Sequence, residues 1–155
     1  MATIKLTRDF KEFLHLLNSE KIEYLLIGGY AVGLYGWVRP TKDIDIWVAV
    51  DPANEKRLVE ALVKFGFPRS GLKLPLFPEG KSVLRTGMPP NRLAILSKIA
   101  GVEFADCYGR RRVMDIDGLQ VNVIDYEDLV KNKRSTGRTS DQADVEHLEK
   151  RRNKP

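Results

Sequence analysis

Two carboxylates, Asp43 and Asp45, interrupt an apolar stretch and are the side chains of this sequence best suited to chemistry. Residues two positions apart on a β-strand point to the same face, so both acids would face the same side. Like charges this close repel each other and are costly to desolvate, unless a cation lies between them. The pair therefore indicates a site for a divalent metal ion.

A glycine pair, Gly28-Gly29, lies ahead of these acids, with Gly29 fourteen positions before Asp43. It follows an apolar run, Tyr24–Ile27, that predicts a strand, and it begins a helix of small residues ending near Gly36. Backbone N–H groups at a helix start are unpaired and attract anions, and glycine lets a phosphate approach the backbone closely. We therefore predict a triphosphate cradle facing a metal site. The alternative is an α/β core with two solvated aspartates on an edge strand, where charge resists pairing.

This arrangement resembles the nucleotidyltransferase superfamily, whose fold is that of DNA polymerase beta. The superfamily pattern is an apolar residue, Gly, then Gly or Ser, a spacer, and Asp-apolar-Asp-apolar, as in Ile27-Gly28-Gly29 and Asp43–Ile46. The resemblance implies a mixed α/β (α+β) fold with helices packed on a central sheet and a C-terminal helical segment. It implies that Asp43 and Asp45 ligate Mg²⁺ or Mn²⁺ and that Gly28 and Gly29 hold the nucleoside triphosphate.

The C-terminal part resembles a subgroup related to AbiEii-type toxins. The matching residues are Asn132-Lys133, Gly137-Arg138, Asp141 and Asp144-Val145-Glu146, with Arg39, Thr41 and Lys42 before the acidic strand. The resemblance implies that Arg39, Thr41, Lys133 and Arg138 bind the triphosphate, and that Lys133 and Asp141 take part in catalysis. Lys133 and Arg138 can neutralise phosphate oxygens, and Asp141 can orient Lys133 or reach the nucleotide. The alternative is a solvated basic turn followed by an acidic helix start.

One superfamily feature is missing. A third carboxylate normally comes from a neighbouring strand and supports a second metal ion, which activates the attacking hydroxyl; the same carboxylate can accept the hydroxyl proton. The matching segment here is Arg92–Leu96, and Ala94 stands at the carboxylate position. Three explanations are open: a natural nucleotide-binding relative without catalysis, replacement of the missing acid by Asp141, or a substitution introduced at position 94.

Composition narrows the class of protein. The chain has 155 residues, of which 43% are apolar and 30% charged, as in soluble globular proteins, and we expect a single domain spanning residues 1–155. Its core would span about residues 20–125, followed by helices over about 126–150. The longest uncharged stretch, Tyr24–Val38, is too short and glycine-rich to span a membrane. The single cysteine, Cys107, excludes an internal disulfide framework and, with no apolar signal sequence in MATIKLTRDF, favours a cytoplasmic location.

The remaining elements follow from periodicity and turn signals. Thr7 predicts a helix N-cap, and Asp51-Pro52 predicts the start of a helix that ends at Phe65. The other predictions are a long loop over residues 66–90 with one strand near 82–85, a strand over 91–96, a short helix over 102–108, a hairpin turning at Asp117-Gly118, a helix over 126–133, and a final helix capped by Thr139 or Ser140 and frayed from Lys150.

Two classes of function are consistent with these residues. The first is an enzyme that moves a nucleoside monophosphate from a triphosphate to an acceptor hydroxyl. The second is a nucleotide-binding module with little or no catalysis, such as a toxin–antitoxin component, and Ala94 favours it. The superfamily resemblance implies RNA (the tRNA 3′ end), a protein side chain or a small hydroxylated molecule as acceptor. The net charge of +5 slightly favours RNA.

Overall fold

A computed structural model describes residues 5–41, 43–87 and 92–153. Within them, one six-stranded mixed sheet is covered by six α-helices, which confirms the predicted α/β class. The strand order is β3-β4-β2-β1-β6-β5. In chain order the elements are α1 Arg8–Ser19, β1 Tyr24–Ile27, α2 Gly28–Leu34, β2 Asp43–Val48, α3 Pro52–Phe65, β3 Val83–Thr86, β4 Arg92–Leu96, α4 Phe104–Gly109, β5 Arg112–Ile116, β6 Leu119–Val123, α5 Tyr126–Ser135 and α6 Thr139–Arg152.

The acidic strand β2 lies in the middle of the sheet, antiparallel to β1 and parallel to β4. In this register Asp43 lies opposite Arg92 and Asp45 lies opposite Ala94. Ile44 and Ile46 are fully buried on one face of β2, whereas both aspartates lie on the other face and are partly exposed. The edge-strand alternative is therefore wrong, because β2 has a hydrogen-bonded neighbour on each side.

Helices α1 and α3 pack against each other and fill the core on one side of the sheet. The Thr7 hydroxyl accepts a hydrogen bond from the backbone N–H of Phe10, which confirms the predicted N-cap. The Asp51 carboxylate caps α3 in the same way, by accepting a hydrogen bond from the Asn54 N–H. Both helices bury an apolar face at helical spacing. Its fully buried members are Phe10, Phe13, Leu14 and Leu17 of α1 and Leu58 and Leu62 of α3, and Phe65 is half-buried.

The hairpin of β5 and β6 turns at Asp117-Gly118, as predicted. Both residues have positive φ, 53° and 83°, and this is the twist that a two-residue hairpin turn requires. Asp115 is exposed and accepts a hydrogen bond from the Gly118 N–H at 3.0 Å. Its carboxylate therefore stabilises the turn and lies away from the acidic face of β2.

The C-terminal helices differ in detail from the sequence prediction. The N-cap of α6 is Arg138, without a side-chain hydrogen bond, so neither Thr139 nor Ser140 caps this helix. The helix continues to Arg152, so fraying does not begin at Lys150. The predicted first residue of β4, Asn91, lies outside the described residues. No helix in the described part of the chain is long and apolar enough to cross a membrane.

Candidate active site

One cleft of about 650 Å³ contains every site residue predicted from the sequence. Its floor is the end of β1 with the start of α2 and the exposed face of β2, and its far wall is the α5–α6 turn. The predicted residues that line it are Gly28, Gly29, Arg39, Thr41, Asp43, Asp45, Lys133, Arg138 and Asp141. Lys42, named with them from the sequence, lies outside the described residues. The spacing of the motifs thus brings residues more than 100 positions apart to one place.

The two strand carboxylates have different surroundings. Arg92 donates to both oxygens of Asp43, from Nε at 2.9 Å and from Nη2 at 3.1 Å. No described residue donates a hydrogen bond to the Asp45 carboxylate. Burial, together with the charge of Asp43, raises the pKa of Asp45 to about 6. Asp45 is therefore a poorly solvated acid whose charge lacks a direct partner within the described part of the chain.

Each glycine of the pair is in close contact with a cleft side chain. Gly28 has φ +69°, and a Cβ placed there would lie 2.9 Å from the Cγ of Asp45. A Cβ at Gly29 would lie 2.8 Å from the Thr41 hydroxyl oxygen and 3.4 Å from a guanidinium nitrogen of Arg39. The reason inferred from the sequence for this glycine pair is that it lets a phosphate approach the backbone. The structure adds a second reason, because any side chain at these positions would have to displace the side chain of Asp45 or those of Thr41 and Arg39.

The helical wall is built around a buried lysine. The Lys133 ammonium donates to Asp141 at 3.1 Å and lies 3.2 Å from an oxygen of Asp144. All three side chains are at most 7% exposed. A buried lysine keeps its charge only when acids this close compensate it. The solvated-turn alternative is therefore wrong for Lys133 and Asp141.

Both acids of this wall are held by further donors. Arg39 donates to the two oxygens of Asp144, each at 2.8 Å, and so fastens the loop before β2 to α6. Asp141 also accepts hydrogen bonds from the Thr136 hydroxyl at 2.6 Å and from Arg138 at 2.8 Å. Burial raises the pKa of both carboxyls, but these hydrogen bonds outweigh it, so each pKa is lowered.

Three residues of the cleft region were missed as functional candidates. Arg92 and Arg85 line the cleft from β4 and β3, and Asp144 completes the Lys133 site. The position of Arg92 opposite Asp43 depends on the parallel register of β2 and β4, and the sequence by itself does not specify that register. Asp144 stands three positions after Asp141, a helical spacing that places both on one face of α6, so periodicity could have indicated it.

The donor set was compared with what a metal ion needs. Among the described residues, no group of three His, Cys, Asp or Glu side chains is close enough to hold an ion. Mg²⁺ is commonly bound through one or two carboxylates plus substrate phosphates and water. Asp43 and Asp45 fit that requirement for one ion carried by a triphosphate. They do not provide for a second ion by themselves, and Ala94, the position to which the superfamily resemblance assigns a third carboxylate, pairs with Asp45 without offering an oxygen ligand from its side chain.

The cleft carries an excess of positive charge among the described residues. Six cationic side chains line it against three carboxylates. The cations are Arg39, Arg85, Arg92, Lys98, Lys133 and Arg138, and the acids are Asp43, Asp45 and Asp141. This balance suits a polyphosphate, whose oxygens can accept from several guanidinium and ammonium groups at once.

A second cavity of about 730 Å³ adjoins the cleft and shares the Lys98–Ala100 segment with it. Trp47, which lies two positions after Asp45 on the same face of β2, is one of its walls. Phe77 and Phe104 are others, and the Phe104 ring packs edge-to-face on Trp47. Trp47 itself is only 1% exposed, so Phe77 and Phe104, which are partly exposed, supply most of the aromatic surface of this cavity.

The family of the chain follows from its match to a family model. The model described as "Nucleotidyltransferase of unknown function (DUF6036)" matches residues 4–150. The chain belongs to this family. The matched residues include the glycine pair, both strand aspartates and the whole Lys133 site. The activity class of the family is nucleotidyl transfer.

Solved structures share the fold at low sequence identity. The lincosamide antibiotic adenylyltransferase LnuA, bound to lincomycin, is 15% identical with a TM-score of 0.61, over 96% of this chain and 98% of that chain. TM1012 from Thermotoga maritima, provisionally assigned as a nucleotidyltransferase, is 18% identical with a TM-score of 0.56, over 94% and 91%. JHP933 from Helicobacter pylori is 17% identical with a TM-score of 0.53, over 92% and 64%. No curated protein matches the chain significantly.

Proposed function

We propose that this protein binds a nucleoside triphosphate with Mg²⁺ and transfers the nucleoside monophosphate to an acceptor oxygen, releasing pyrophosphate. Mn²⁺ can replace Mg²⁺ at a site of carboxylate and phosphate oxygens. In this proposal the whole chain acts as one domain. The chain is also proposed to be related to AbiEii-type toxins. The family match supports the activity class, and the cleft supports the substrate.

The observation that carries the proposal is the state of Asp45. This carboxylate is poorly solvated, lies beside a second acid and accepts no hydrogen bond from a described residue. The other two acids of the cleft are each held by a guanidinium. A poorly solvated charge without compensation is costly, and a triphosphate-bound divalent cation would compensate it. Lys133, Arg39 and Arg138 in the same cleft would then bind the phosphate oxygens.

Each residue has a defined part in this proposal. Asp43 and Asp45 would ligate the ion, which would neutralise the triphosphate and polarise its phosphorus–oxygen bonds. Lys133 would bind phosphate oxygens, with Arg39 and Arg138 beside it. Asp141 and Asp144 would hold the Lys133 ammonium in place, so that little reorganisation is needed when the nucleotide arrives. Because three donors already hold Asp141, we assign it this positioning part rather than that of the missing third carboxylate.

The second candidate function is nucleotide binding without turnover, and Ala94 favours it. Without a third carboxylate, a triphosphate–Mg²⁺ complex could still bind through Asp43, Asp45 and the glycine pair. Both candidates require magnesium-dependent binding of nucleotide, and only the first requires release of pyrophosphate. The two are therefore separable by experiment.

The test is calorimetric titration of the protein with ATP in the presence and in the absence of Mg²⁺. We expect binding that requires Mg²⁺ and that is lost in Asp45→Asn. The matched control is Asp115→Asn, which changes an exposed hairpin carboxylate outside the cleft. Release of labelled pyrophosphate from γ-labelled ATP then distinguishes the enzyme from the binding module.

Position 94 gives a further readout of the same proposal. Ala94→Asp would restore a third carboxylate opposite Asp45, so it should tighten binding of Mn²⁺ and raise transfer to hydroxyl acceptors. ATP binding that is absent, or equal with and without Mg²⁺, would contradict the proposed function.

A further inference from the structure

An arginine lies beside the position of the missing carboxylate. Ala94 pairs with Asp45 on one side and with Arg85 on the other, so the three residues form a row across β2, β4 and β3 on one sheet face. Neighbouring strands are about 4.8 Å apart, which places the backbones of Arg85 and Asp45 about 10 Å from each other. The small side chain of Ala94 leaves room between them for the long side chain of Arg85.

The charge of Arg85 acts on this part of the cleft. Arg85 lines the cleft together with Asp45 and Ala94. Arg92, on the adjacent strand, is bound to Asp43, and Lys98 lies further along the same wall. The side of the cleft that would receive the acceptor is therefore cationic.

Among the described residues, this side of the cleft also offers no uncommitted group that can take a proton. Arginine and lysine are protonated at neutral pH and do not act there as bases. Among the described residues that line the cleft, the only carboxylates are Asp43, Asp45 and Asp141. The first two are assigned to the metal ion and the third is held by three donors. A neutral hydroxyl would have no free carboxylate to accept its proton.

We propose that the acceptor attacks with an oxygen that is already anionic, that of a phosphate monoester or a carboxylate, and that Arg85 binds this group. The inference rests on the proposed function and narrows its acceptor, replacing the hydroxyl predicted from the sequence. A guanidinium matches phosphate and carboxylate alike, because both accept two parallel hydrogen bonds.

The reaction balances without a base. The anionic oxygen forms a bond to the α-phosphorus of the triphosphate, and the bond from that phosphorus to the oxygen bridging to the β-phosphate breaks. Pyrophosphate leaves with the electron pair of the broken bond, and no proton has to be removed from the nucleophile. The product is a diphosphate diester when the acceptor is a phosphate monoester, and an acyl nucleotide when it is a carboxylate.

Three probes with one aromatic ring test this inference: phenyl phosphate, benzoate and benzyl alcohol. Each is titrated into the full chain with Mg²⁺ and a non-hydrolysable ATP analogue, and each is incubated with α-labelled ATP. We expect binding and labelled product with at least one anionic probe, and at least 100-fold lower transfer to benzyl alcohol. Which anion reacts distinguishes phosphate from carboxylate acceptors.

The matched variants are Arg85→Gln and Arg57→Gln, the latter an exposed arginine on α3. Arg85→Gln should weaken binding of the anionic probe at least tenfold and leave the affinity for Mg²⁺–ATP within twofold of the original value. Arg57→Gln should change neither.

Benzyl alcohol as the better acceptor, failure of both anions to bind, or unchanged binding in Arg85→Gln would overturn the inference. If Mg²⁺–ATP itself does not bind, the proposed function fails first, and the two failures are thereby distinguished.

Discussion

Two pairs of aspartates, one on β2 and one on α6, differ in what surrounds them. Asp141 and Asp144, on α6, share the Lys133 ammonium and accept hydrogen bonds from two arginines. On β2, Asp43 is bound by Arg92, whereas Asp45 accepts no hydrogen bond from a described residue. Burial raises the pKa of the carboxyls on both sides of the cleft. In the helical pair the hydrogen bonds and nearby cations outweigh it and the pKa values are lowered, whereas the pKa of Asp45 stays raised.

The difference separates groups that the protein completes by itself from a group that a ligand completes. In the helical pair the cost of desolvation is offset within the fold, so these acids contribute to stability as well as to the position of Lys133. The ionised form of Asp45 is disfavoured until a cation arrives, so its burial opposes folding at neutral pH. A site that binds a metal ion through its substrate is expected to carry such a cost.

The largest effect is expected from Lys133→Met. This change leaves two buried aspartates without their shared cation, so we expect a loss of about 3–5 kcal/mol in the free energy of unfolding, and loss of ATP binding. Urea denaturation followed by circular dichroism measures the first effect, and calorimetry measures the second.

The control for this prediction is Lys64→Met, which removes a lysine paired with Glu20 at the surface. Exposed ion pairs contribute little, so its unfolding should be nearly unchanged. Equal effects of the two substitutions would mean that the Lys133 cluster is no more important to folding than a surface pair.

The second prediction compares the two sides of the cleft by replacing one aspartate on each side with asparagine. Asp45→Asn should stabilise the apo-protein at pH 8 by about 1–3 kcal/mol, since it removes an ionised group that burial disfavours. Asp141→Asn should destabilise it by about 2–3 kcal/mol, since it leaves Lys133 with a single acid. Urea denaturation at several pH values measures both changes.

The pH dependence has opposite signs at the two positions. The folded-state pKa of Asp45 is raised from 3.8 to about 6, so its penalty is complete above pH 6 and declines as the pH falls toward 4. The advantage of Asp45→Asn should therefore be smaller at pH 5 than at pH 8. The pKa of Asp141 is lowered, so its stabilisation is present above its ordinary value and is lost only in stronger acid. Destabilisation by Asp45→Asn at pH 8 would show that its carboxylate has a partner.

How far the sequence predicts this molecule depends on the range of the interactions. Local signals were sufficient for β2, for the Asp117-Gly118 turn and for α3, which begins and ends at the predicted residues. The motifs also identified the residues that meet in the cleft, because strand and helix periodicities fix which side chains share a face.

The pairings between distant segments were not predictable in the same way. Arg39 and Asp144 are 105 positions apart, and their contact depends on how α6 docks against the loop before β2. The pairs Asp43–Arg92 and Ala94–Arg85 depend on strand order and register, and a shift of one residue would turn these side chains to the opposite face. The N-cap of α6 differs because the Arg138 backbone already adopts the required extended conformation.

The smallest effect on stability, and the sharpest on geometry, is expected from Gly28→Ala. Its backbone has a positive φ, which costs a non-glycine residue about 1–2 kcal/mol. The new methyl group would also displace the Asp45 side chain. The free energy of ATP binding should therefore change by more than the free energy of unfolding. Calorimetry and urea denaturation on the same variant measure the two effects.

Gly118→Ala is the matched control, because Gly118 also has a positive φ, but no described residue beyond its two chain neighbours has an atom within 4 Å of the place its new methyl group would take. It should show the backbone cost alone and leave ATP binding intact. In a double-mutant cycle with Asp45→Ala, the loss in the free energy of unfolding caused by Gly28→Ala should shrink by about 1 kcal/mol, since the side chain that the new methyl group displaces is already gone. If the two substitutions are additive, the glycine bend does not position Asp45, and the strand acids would then have to be placed by β2 alone.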